Sequence, residues 1–116
     1  MLATRRLVTI VVAVAALAVP AAAHAAYGAI AVNRHNAAWG VSYGQPSVRA
    51  AKHVAQVHCR GGCRIMVWVR NRCAAVVLTS TRFYAGIGST RTRAVHDARR
   101  RAHDPYARRL AWTCSG

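Results

Sequence analysis

Short apolar runs follow one another from residue 27 to the end of the chain, and glycine, asparagine and proline separate them. Apolar and polar residues that alternate with a period of two predict β-strands, whereas apolar residues spaced three and four apart predict helices. Ser47 or Gln45 suits the N-cap of one helical stretch, and Ser89 with Thr90 suits that of the other. The predicted strands span residues 27–32, 39–43, 65–69, 74–79, 83–88 and 109–113, and the predicted helices span 48–59 and 91–103.

Two features of the predicted strands suggest where the core lies. Residues 65–69 are consecutive apolar residues between a Gly-Gly pair and Asn71, which is typical of a strand buried on both faces. We therefore expect this strand to be the central one, and we expect Trp68 and Trp112 to be core residues. In the strand at 39–43, the side chains of Trp39, Val41 and Tyr43 share one face.

The order strand, strand, helix, strand occurs twice, with residue matches at an offset of about 44 to 46. Neither half could bury its sheet face alone, so the two halves should pack together. The sequence predicts one small disulfide-linked α+β domain at residues 26–116, with two pseudo-symmetric strand-strand-helix-strand halves at about 27–72 and 73–116. The matches join 29–32 to 75–78, Gly40-Val41 to Gly86-Ile87, Gly44 to Gly88, Arg49-Ala50 to Arg93-Ala94, and Trp68 to Trp112.

Residues 1–25 have the pattern of a secretory signal peptide. Arg5 and Arg6 precede an apolar run at 7–19, Pro20 ends the run, and residues 23–25 fit an A-x-A cleavage site, with cleavage after Ala23 as an alternative. A twin-arginine signal is disfavoured by the aliphatic residue that follows Leu7. An uncleaved anchor is disfavoured because a span usually needs about 20 apolar residues. We expect a secreted protein, exported by the general route, with no transmembrane span in its mature chain.

The four cysteines, Cys59, Cys63, Cys73 and Cys114, predict two disulfides in an exported chain, for which three connectivities exist. The second half lacks counterparts of both Cys59 and Cys63, so the simplest pairing joins these two to each other and joins Cys73 to Cys114, a bridge that we expect to connect the two halves. A zinc site is the alternative, although Cys-x3-Cys is not the usual spacing of zinc ligands. We expect neither a metal nor a cofactor.

The charge of the chain is strongly positive. The formal net charge is +15, sixteen of the seventeen basic residues are arginine, and Lys52 is the exception. Removal of the signal peptide would lower the charge to +13. Such a basic protein should attract nucleic acid, acidic glycans or anionic lipid headgroups with an affinity that salt weakens. The arginine excess is equally compatible with genome composition or with selection for bidentate recognition of phosphate and carboxylate.

The second predicted helix and the strand after it hold seven of the seventeen basic residues. We predict that these arginines form an anion-binding face for an anionic polymer or an envelope component, and the alternative is a solvated helix that keeps the protein soluble. The chain has few aromatic residues to stack on bases, which argues against sequence-specific recognition of nucleic acid. The candidate anion-binding residues are Arg91, Arg93, Arg99, Arg100, Arg101, Arg108 and Arg109.

Nothing in the sequence forms a catalytic motif. His35, His53, His58, His96 and His103 are the candidate acid-base groups after residue 25, and no spacing places two of them in a shared cleft. The acidic residues are only Asp97 and Asp104, and Asp97 is better explained by helical pairing with Arg93, Arg100 or Arg101. No serine or threonine lies in a nucleophile elbow. The sequence therefore names no catalytic residue.

Several segments together resemble domain of unknown function family 4189, whose members are small exported bacterial proteins. The segments are Tyr-Gly-Ala-Ile-Ala at 27–31, Trp-Gly at 39–40, Cys-x3-Cys at 59–63, Arg-Ile-Met-Val-Trp-Val at 64–69, Asn-Arg-Cys-Ala-Ala at 71–75, Gly-x-Gly at 86–88 and Ala-Trp-Thr-Cys-Ser at 111–115. The resemblance implies export and a compact cysteine-bridged domain, and it implies no activity or ligand. Family members usually carry a further cysteine pair near the end of the second helix, where this chain has His103 and Ala107. The loss of both cysteines together agrees with a bridge within that pair.

Three classes of function are compatible with these features. The sequence favours a binding module that acts at the cell envelope or on an anionic surface. A secreted inhibitor or effector that docks on another protein is the second hypothesis, and a small hydrolase is the third.

Overall fold

The computed structural model describes residues 25–116, and their elements follow the predicted order. The predicted signal peptide lies outside the described residues except for Ala25. Within residues 25–116, no helix is long and apolar enough to cross a membrane. In chain order the elements are β1 (Tyr27–Val32), β2 (Trp39–Gln45), α1 (Val48–His58), β3 (Arg64–Arg70), β4 (Cys73–Leu78), β5 (Phe83–Gly88), α2 (Arg91–Ala102) and β6 (Arg108–Cys114).

Each half of the repeat forms its own antiparallel sheet, with strand order β2-β1-β3 in the first sheet and β5-β4-β6 in the second. The inner faces of the two sheets pack on each other. Helix α1 covers the outer face of the first sheet and α2 covers that of the second. The result is a four-layer α+β domain with two similar halves, which confirms the predicted fold class.

The first strand of each half is the middle strand of its sheet and is buried on both faces. In β1 the alanines Ala29 and Ala31 face α1, while Ile30 and Val32 face the second sheet. In β4 the residues that face the first sheet are Ala74 and Val76. In β1 small side chains let α1 lie close to its sheet and branched side chains fill the space between the sheets, whereas in β4 Val77 faces α2 and Val76 faces the first sheet. Full burial of each such valine or isoleucine contributes about 1.5–3 kcal/mol.

The prediction that residues 65–69 form the central strand is wrong, because they belong to β3, which is an edge strand. The pairing of β3 with β1 shifts by one residue, so that Ile30 faces Val67 and Ala31 faces Ile65, and Met66 is the extra residue of a bulge. Met66 and Val67 therefore both pack against the core between the sheets. The bulge removes the alternation expected of an edge strand, which explains the unbroken apolar run.

The same bulge occurs in the second half. The pairing of β6 with β4 shifts between Val76 and Val77, and Leu110 is the extra residue. Met66 and Leu110 are related by the offset that relates Trp68 to Trp112. The repeat therefore extends to an irregularity of the backbone, beyond the order of the elements.

Two matches within the repeat are wrong. The N-caps are Ser47 and Thr90, so Arg49-Ala50 corresponds to Thr92-Arg93 and not to Arg93-Ala94. In β2, Ser42 pairs with Ala29, whereas in β5 Gly86 pairs with Ala75, so Gly86 is the counterpart of Ser42 and not of Gly40. The Ser42 hydroxyl donates to the carbonyl oxygen of Ala51 in α1, at 2.7 Å. Glycine replaces this serine in the second half because α2 lies directly on the strand: a Cβ on Gly86 would lie 2.2 Å from the backbone nitrogen of Ala98.

Ser42 also connects the two halves of the domain. Its hydroxyl accepts from the N–H of Ala29 at 3.0 Å, and its carbonyl accepts from the hydroxyl of Thr113 in β6 at 2.7 Å. Close by, the N–H of Gly44 donates to the hydroxyl of Ser115 at 3.2 Å. These bonds join β2 of the first sheet to the end of β6 in the second.

Both disulfides have the predicted partners. Cys59 and Cys63 close the turn between α1 and β3, while Cys73 and Cys114 join opposite residues of β4 and β6. All four cysteines are used, which leaves none for the zinc site that the sequence allowed. The Cys73–Cys114 bond lies within the second half, so the expectation that it joins the two halves is wrong, although it still closes the longer loop.

The two disulfides should differ in their contribution to stability. Loop-entropy arithmetic gives about 4 kcal/mol for the bridge of sequence separation 41 and about 2 kcal/mol for that of separation 4. We expect Cys73→Ala/Cys114→Ala to lower the free energy of unfolding by more than Cys59→Ala/Cys63→Ala, as measured by urea denaturation. Each pair has one buried and one partly buried sulfur, so the two double variants control for each other. Equal losses would show that loop closure does not set the difference.

The contact between α2 and β5 should tolerate no side chain at Gly86. A Cβ there would lie within 2.4 Å of backbone atoms in α2, so we expect Gly86→Ala to lower the free energy of unfolding by about 1–3 kcal/mol or more. The control is Gly62→Ala, whose Cβ would have no neighbour within 4 Å. Urea denaturation should find the control unchanged or slightly stabilised, and a neutral Gly86→Ala would contradict the close packing.

Candidate anion-binding site

Helix α2 turns an alanine-rich face to its sheet and an arginine-rich face to solvent. Ala94, Val95 and Ala98 are buried against β4 and β5, as the apolar spacing predicts. The side chain of Thr90 accepts from the N–H of Arg93 at 3.2 Å and caps the first turn. The last turn carries three consecutive arginines, which also suit the negative end of the helix dipole. The local sequence therefore fixes both the helix and the direction in which its charge points.

A groove with a volume of about 810 Å³ lies between the outer face of α2 and the segment that leads into β6. We call it the arginine groove. Its walls carry four of the seven predicted anion-binding arginines and one carboxylate, that of Asp104. It is lined by Arg91, Thr92, Val95, His96, Arg99, Arg100, His103, Asp104, Pro105 and Arg109.

Two of these arginines are held in place by contacts outside the helix. The Nε–H of Arg99 donates to the carbonyl oxygen of Ala107 at 3.0 Å, which ties the helix to the segment before β6. The guanidinium of Arg91 lies 5.0 Å from the ring centroid of Trp112, a cation–π distance. A guanidinium held in this way loses less conformational entropy when it binds an anion.

The other three predicted arginines do not line the groove. Arg93 donates to the hydroxyl of Ser89 at 3.0 Å, and Arg108 is exposed at the start of β6. Arg101 donates through Nε to Asp97 at 3.0 Å. Because the three consecutive arginines fan around the helix, no single surface collects them all.

Asp97 is the acidic centre of this basic surface. Its carboxylate accepts from the N–H of Ile87 at 3.0 Å and from the guanidinium groups of Arg100 and Arg101, two of the three partners predicted. Partial burial raises the pKa of the carboxyl, but the Ile87 N–H and the two arginines outweigh this effect and leave the pKa below its usual value. Asp97 thus holds α2 on β5 and positions Arg100 at the groove.

A second groove, of about 580 Å³, adjoins the first. We call it the aromatic groove. Trp39, Val41 and Tyr43 line it from the one face of β2 that the sequence assigned to them. Its other wall is β6, from Arg109 to Cys114, so Arg109 borders both grooves.

The prediction that Trp68 and Trp112 are core residues is wrong, since they are 44% and 41% exposed. Trp112 projects to the α2 side of an edge strand, where only Arg91 stacks on it. Sequence alternation identified the shared face of Trp39 and Tyr43, but only the position of the strands at the sheet edge leaves these rings in solvent.

The corresponding surface of the first half is less basic. Helix α1 carries Arg49 and Lys52 where α2 carries five arginines, and it begins with Val48 where α2 begins with Arg91. Trp68, the counterpart of Trp112, packs instead against Tyr27, with ring centroids 6.4 Å apart. The two halves share a fold and have similar numbers of basic residues, seven at 27–72 and eight at 73–116, but the second half places five of its eight on the helix.

The histidines behave differently from the sequence-based expectation. His96 and His103 line the arginine groove together, although no spacing pointed to a shared cleft. They are seven residues apart, which corresponds to about 10 Å along the helix axis. His58 contacts the carbonyl oxygen of Val41 at 3.1 Å, and His53 is exposed on α1. Among residues 25–116, no three His, Cys, Asp or Glu side chains form a group that could hold a metal.

Comparison with known proteins gives a family and a solved structure. The family model described as Domain of unknown function (DUF4189) matches residues 27–114. The NMR structure of Rv1813c from Mycobacterium tuberculosis is similar at a TM-score of 0.61 and 33% sequence identity, over 77% of this chain and 74% of that chain. No curated protein matches the chain.

The contacts of Asp97 predict a pH dependence of stability. Because the folded pKa lies below the unfolded value, the stabilisation is complete at neutral pH. It is lost as the pH falls below about 4 and through the folded pKa. We expect Asp97→Asn to be less stable than the parent at pH 7, with a difference that shrinks in acid, as measured by urea denaturation across pH. Asp104→Asn is the control, and the same pH-dependent loss in both variants would contradict the role of Asp97.

Proposed function

The chain belongs to the family described as Domain of unknown function (DUF4189), and on that premise we propose that it is an exported binding module that holds an anionic partner in the arginine groove. The observation that carries the proposal is the convergence of Arg91, Arg99, Arg100 and Arg109 on one groove. Guanidinium groups present paired N–H donors that match phosphate and carboxylate oxygens.

The distribution of charge supports binding over a merely solvated helix. The two halves have the same fold, so a need for solubility would be met by arginines on either helix. Instead α2 carries five arginines and α1 carries one arginine and one lysine. Arg91 and Arg99 are moreover held by Trp112 and by the backbone of Ala107. Solvation alone requires no such positioning.

The proposed setting is the cell envelope or another anionic surface outside the cell. The signal-peptide pattern of residues 1–25 supports export. Two disulfides are typical of proteins that leave the reducing cytosol. Polyanions available in that setting include acidic glycans, extracellular nucleic acid and anionic lipid headgroups.

Binding should depend on the arginine groove rather than on net charge. We expect the oxidised protein to bind duplex DNA, heparin or phosphatidylglycerol vesicles, and Arg91→Ala/Arg109→Ala to weaken that binding at least tenfold. Each lost phosphate or carboxylate contact should also reduce the salt slope by about one. Affinities measured between about 50 and 200 mM salt give both quantities.

The matched control is Arg49→Ala/Arg64→Ala, which removes the same charge from exposed positions in the first half. Equal weakening in both double variants would show that the binding follows net charge and would contradict a groove-specific role. If the protein still binds one of the three probes at physiological salt and no longer binds the other two, that probe identifies the ligand class. Loss of all three at physiological salt in the parent protein would overturn the proposal.

A further inference from the structure

The two sheets are staggered, so that one strand extends beyond the sheet it packs on. Strand β6 lies against both β2 and β1, and β4 lies against both β1 and β3. Strands β4 and β6 therefore each sit over the gap between two strands of the first sheet. Strand β2 is an outer strand of the first sheet, and β6 covers only the part of its inner face that is nearer β1. The rest of that face is uncovered. Trp39 and Tyr43, which project from that face, are 47% and 71% exposed.

The edge of β6 that borders the uncovered face is free to form hydrogen bonds. The N–H of Ser115 donates to the carbonyl of Arg72, toward β4, and the Cα atoms of the Cys73–Cys114 pair are 4.0 Å apart, the spacing of a pair without mutual hydrogen bonds. The backbone groups of Cys114 and of Trp112 therefore point away from β4. Within residues 25–116, no strand pairs with this edge.

We propose that an extended acidic polypeptide segment adds to the edge of β6 as a fourth strand of the second sheet. This inference rests on the proposed function and names the partner class of the same surface. An added strand beside β6 would cover the inner face of β2 and would pair with the free backbone groups of Trp112 and Cys114. Main-chain hydrogen bonds would supply affinity, and the two grooves would supply selectivity.

Charge determines which polypeptide fits. Arg109 lies at the start of the edge and Arg91 lies over Trp112, next to the arginine groove. A second copy of this chain, paired through the same edge, would bring these arginines against one another, which is unfavourable at short range. An acidic strand would instead place carboxylates beside guanidinium groups. Only two of the 116 residues are acidic, and both lie in or next to α2, so we take the partner to be a segment of another protein.

The two faces of the added strand predict its sequence pattern. Thr113 points toward β2, as its bond to Ser42 shows, so Trp112 points to the α2 side. One face of the added strand therefore covers Trp39, Val41 and Tyr43, while the other lies beside Trp112 and Arg91. The favoured segment alternates apolar and acidic residues.

The first half provides an internal comparison. By the offset of the repeat, β3 has the equivalent edge, and Phe83, Ala85 and Ile87 of β5 occupy the equivalent overhang. These side chains are partly buried against the core between the sheets, and Val48 replaces Arg91. The equivalent overhang therefore lacks the exposed aromatic face, and the helix has no guanidinium at the position of Arg91, whereas Arg70 of β3 lies over Tyr27.

The test uses a short peptide of alternating glutamate and valine and the same peptide methylated at every peptide nitrogen. Methylation keeps the charge and the side chains but removes every N–H donor. At physiological salt we expect the unmethylated peptide to bind the oxidised protein at least tenfold more tightly. Trp39→Ala and Arg91→Ala/Arg109→Ala should each weaken it at least about tenfold, and Arg49→Ala/Arg64→Ala should not. Fluorescence anisotropy measures these affinities.

Amide hydrogen exchange provides a readout that charge binding alone would not change. We expect the bound peptide to slow exchange at Trp112 and Cys114, because their N–H groups become hydrogen-bonded. Equal binding of both peptides, or unchanged exchange at Trp112, would overturn strand addition. In that case groove-dependent binding of heparin or DNA would leave the proposed function standing, so the two failures are distinguishable. Binding of the polymers without binding of either peptide would assign the site to a polyanion other than protein.

Discussion

The packing of the two sheets on each other is the contact on which the rest of the structure depends. Neither half has a core of its own that could bury both faces of its middle strand. In β1 the alternation turns alanines to α1 and branched side chains to the other sheet, and in β4 it divides the two central valines, with Val77 facing α2 and Val76 facing the other sheet. Ser42 adds a buried polar link between α1, β1, β2 and β6. Each half therefore needs the other to exclude water, which is why the repeat forms one domain.

The two helices occupy equivalent places in the pseudo-symmetric fold but differ in the number of arginines they carry. Corresponding positions of α1 and α2 have the same relation to their sheets, and yet the arginines are concentrated on α2. Asp97 shows how this concentration is tolerated, since one carboxylate engages two guanidinium groups and a backbone N–H at once. The remaining arginines of the groove border Trp112 and the edge of β6. Positive charge, exposed aromatic rings and unpaired backbone thus occupy one side of the domain, where β6 lies next to β2.

The stagger of the sheets explains why that side is open. The two three-stranded sheets are displaced sideways by half the distance between neighbouring strands. One outer strand of each sheet therefore extends past the edge of the other sheet. The pseudo-symmetry gives two such places, at β2 and at β5, and the residues differ between them. Phe83, Ala85 and Ile87 of β5 pack partly into the core, whereas Trp39 and Tyr43 of β2 remain exposed. The two overhanging strands are equivalent in the fold, but only β2 presents exposed aromatic side chains.

The sequence by itself determined the elements, their order and the repeat, and it favoured the disulfide pairing that the structure has. These features depend on local spacing, or on an offset that can be counted along the chain. The sequence also identified the basic helix, because charge density needs no tertiary information. It misplaced the middle strand, since the bulge at Met66 places two neighbouring apolar residues on one side. It likewise misplaced Trp68 and Trp112, because edge position depends on strand order.

Only the tertiary structure decided which arginines converge, that two histidines share their groove, and that an aromatic face lies beside them. These relations depend on how two sheets of similar sequence are offset, and no residue spacing within one strand or helix encodes that offset.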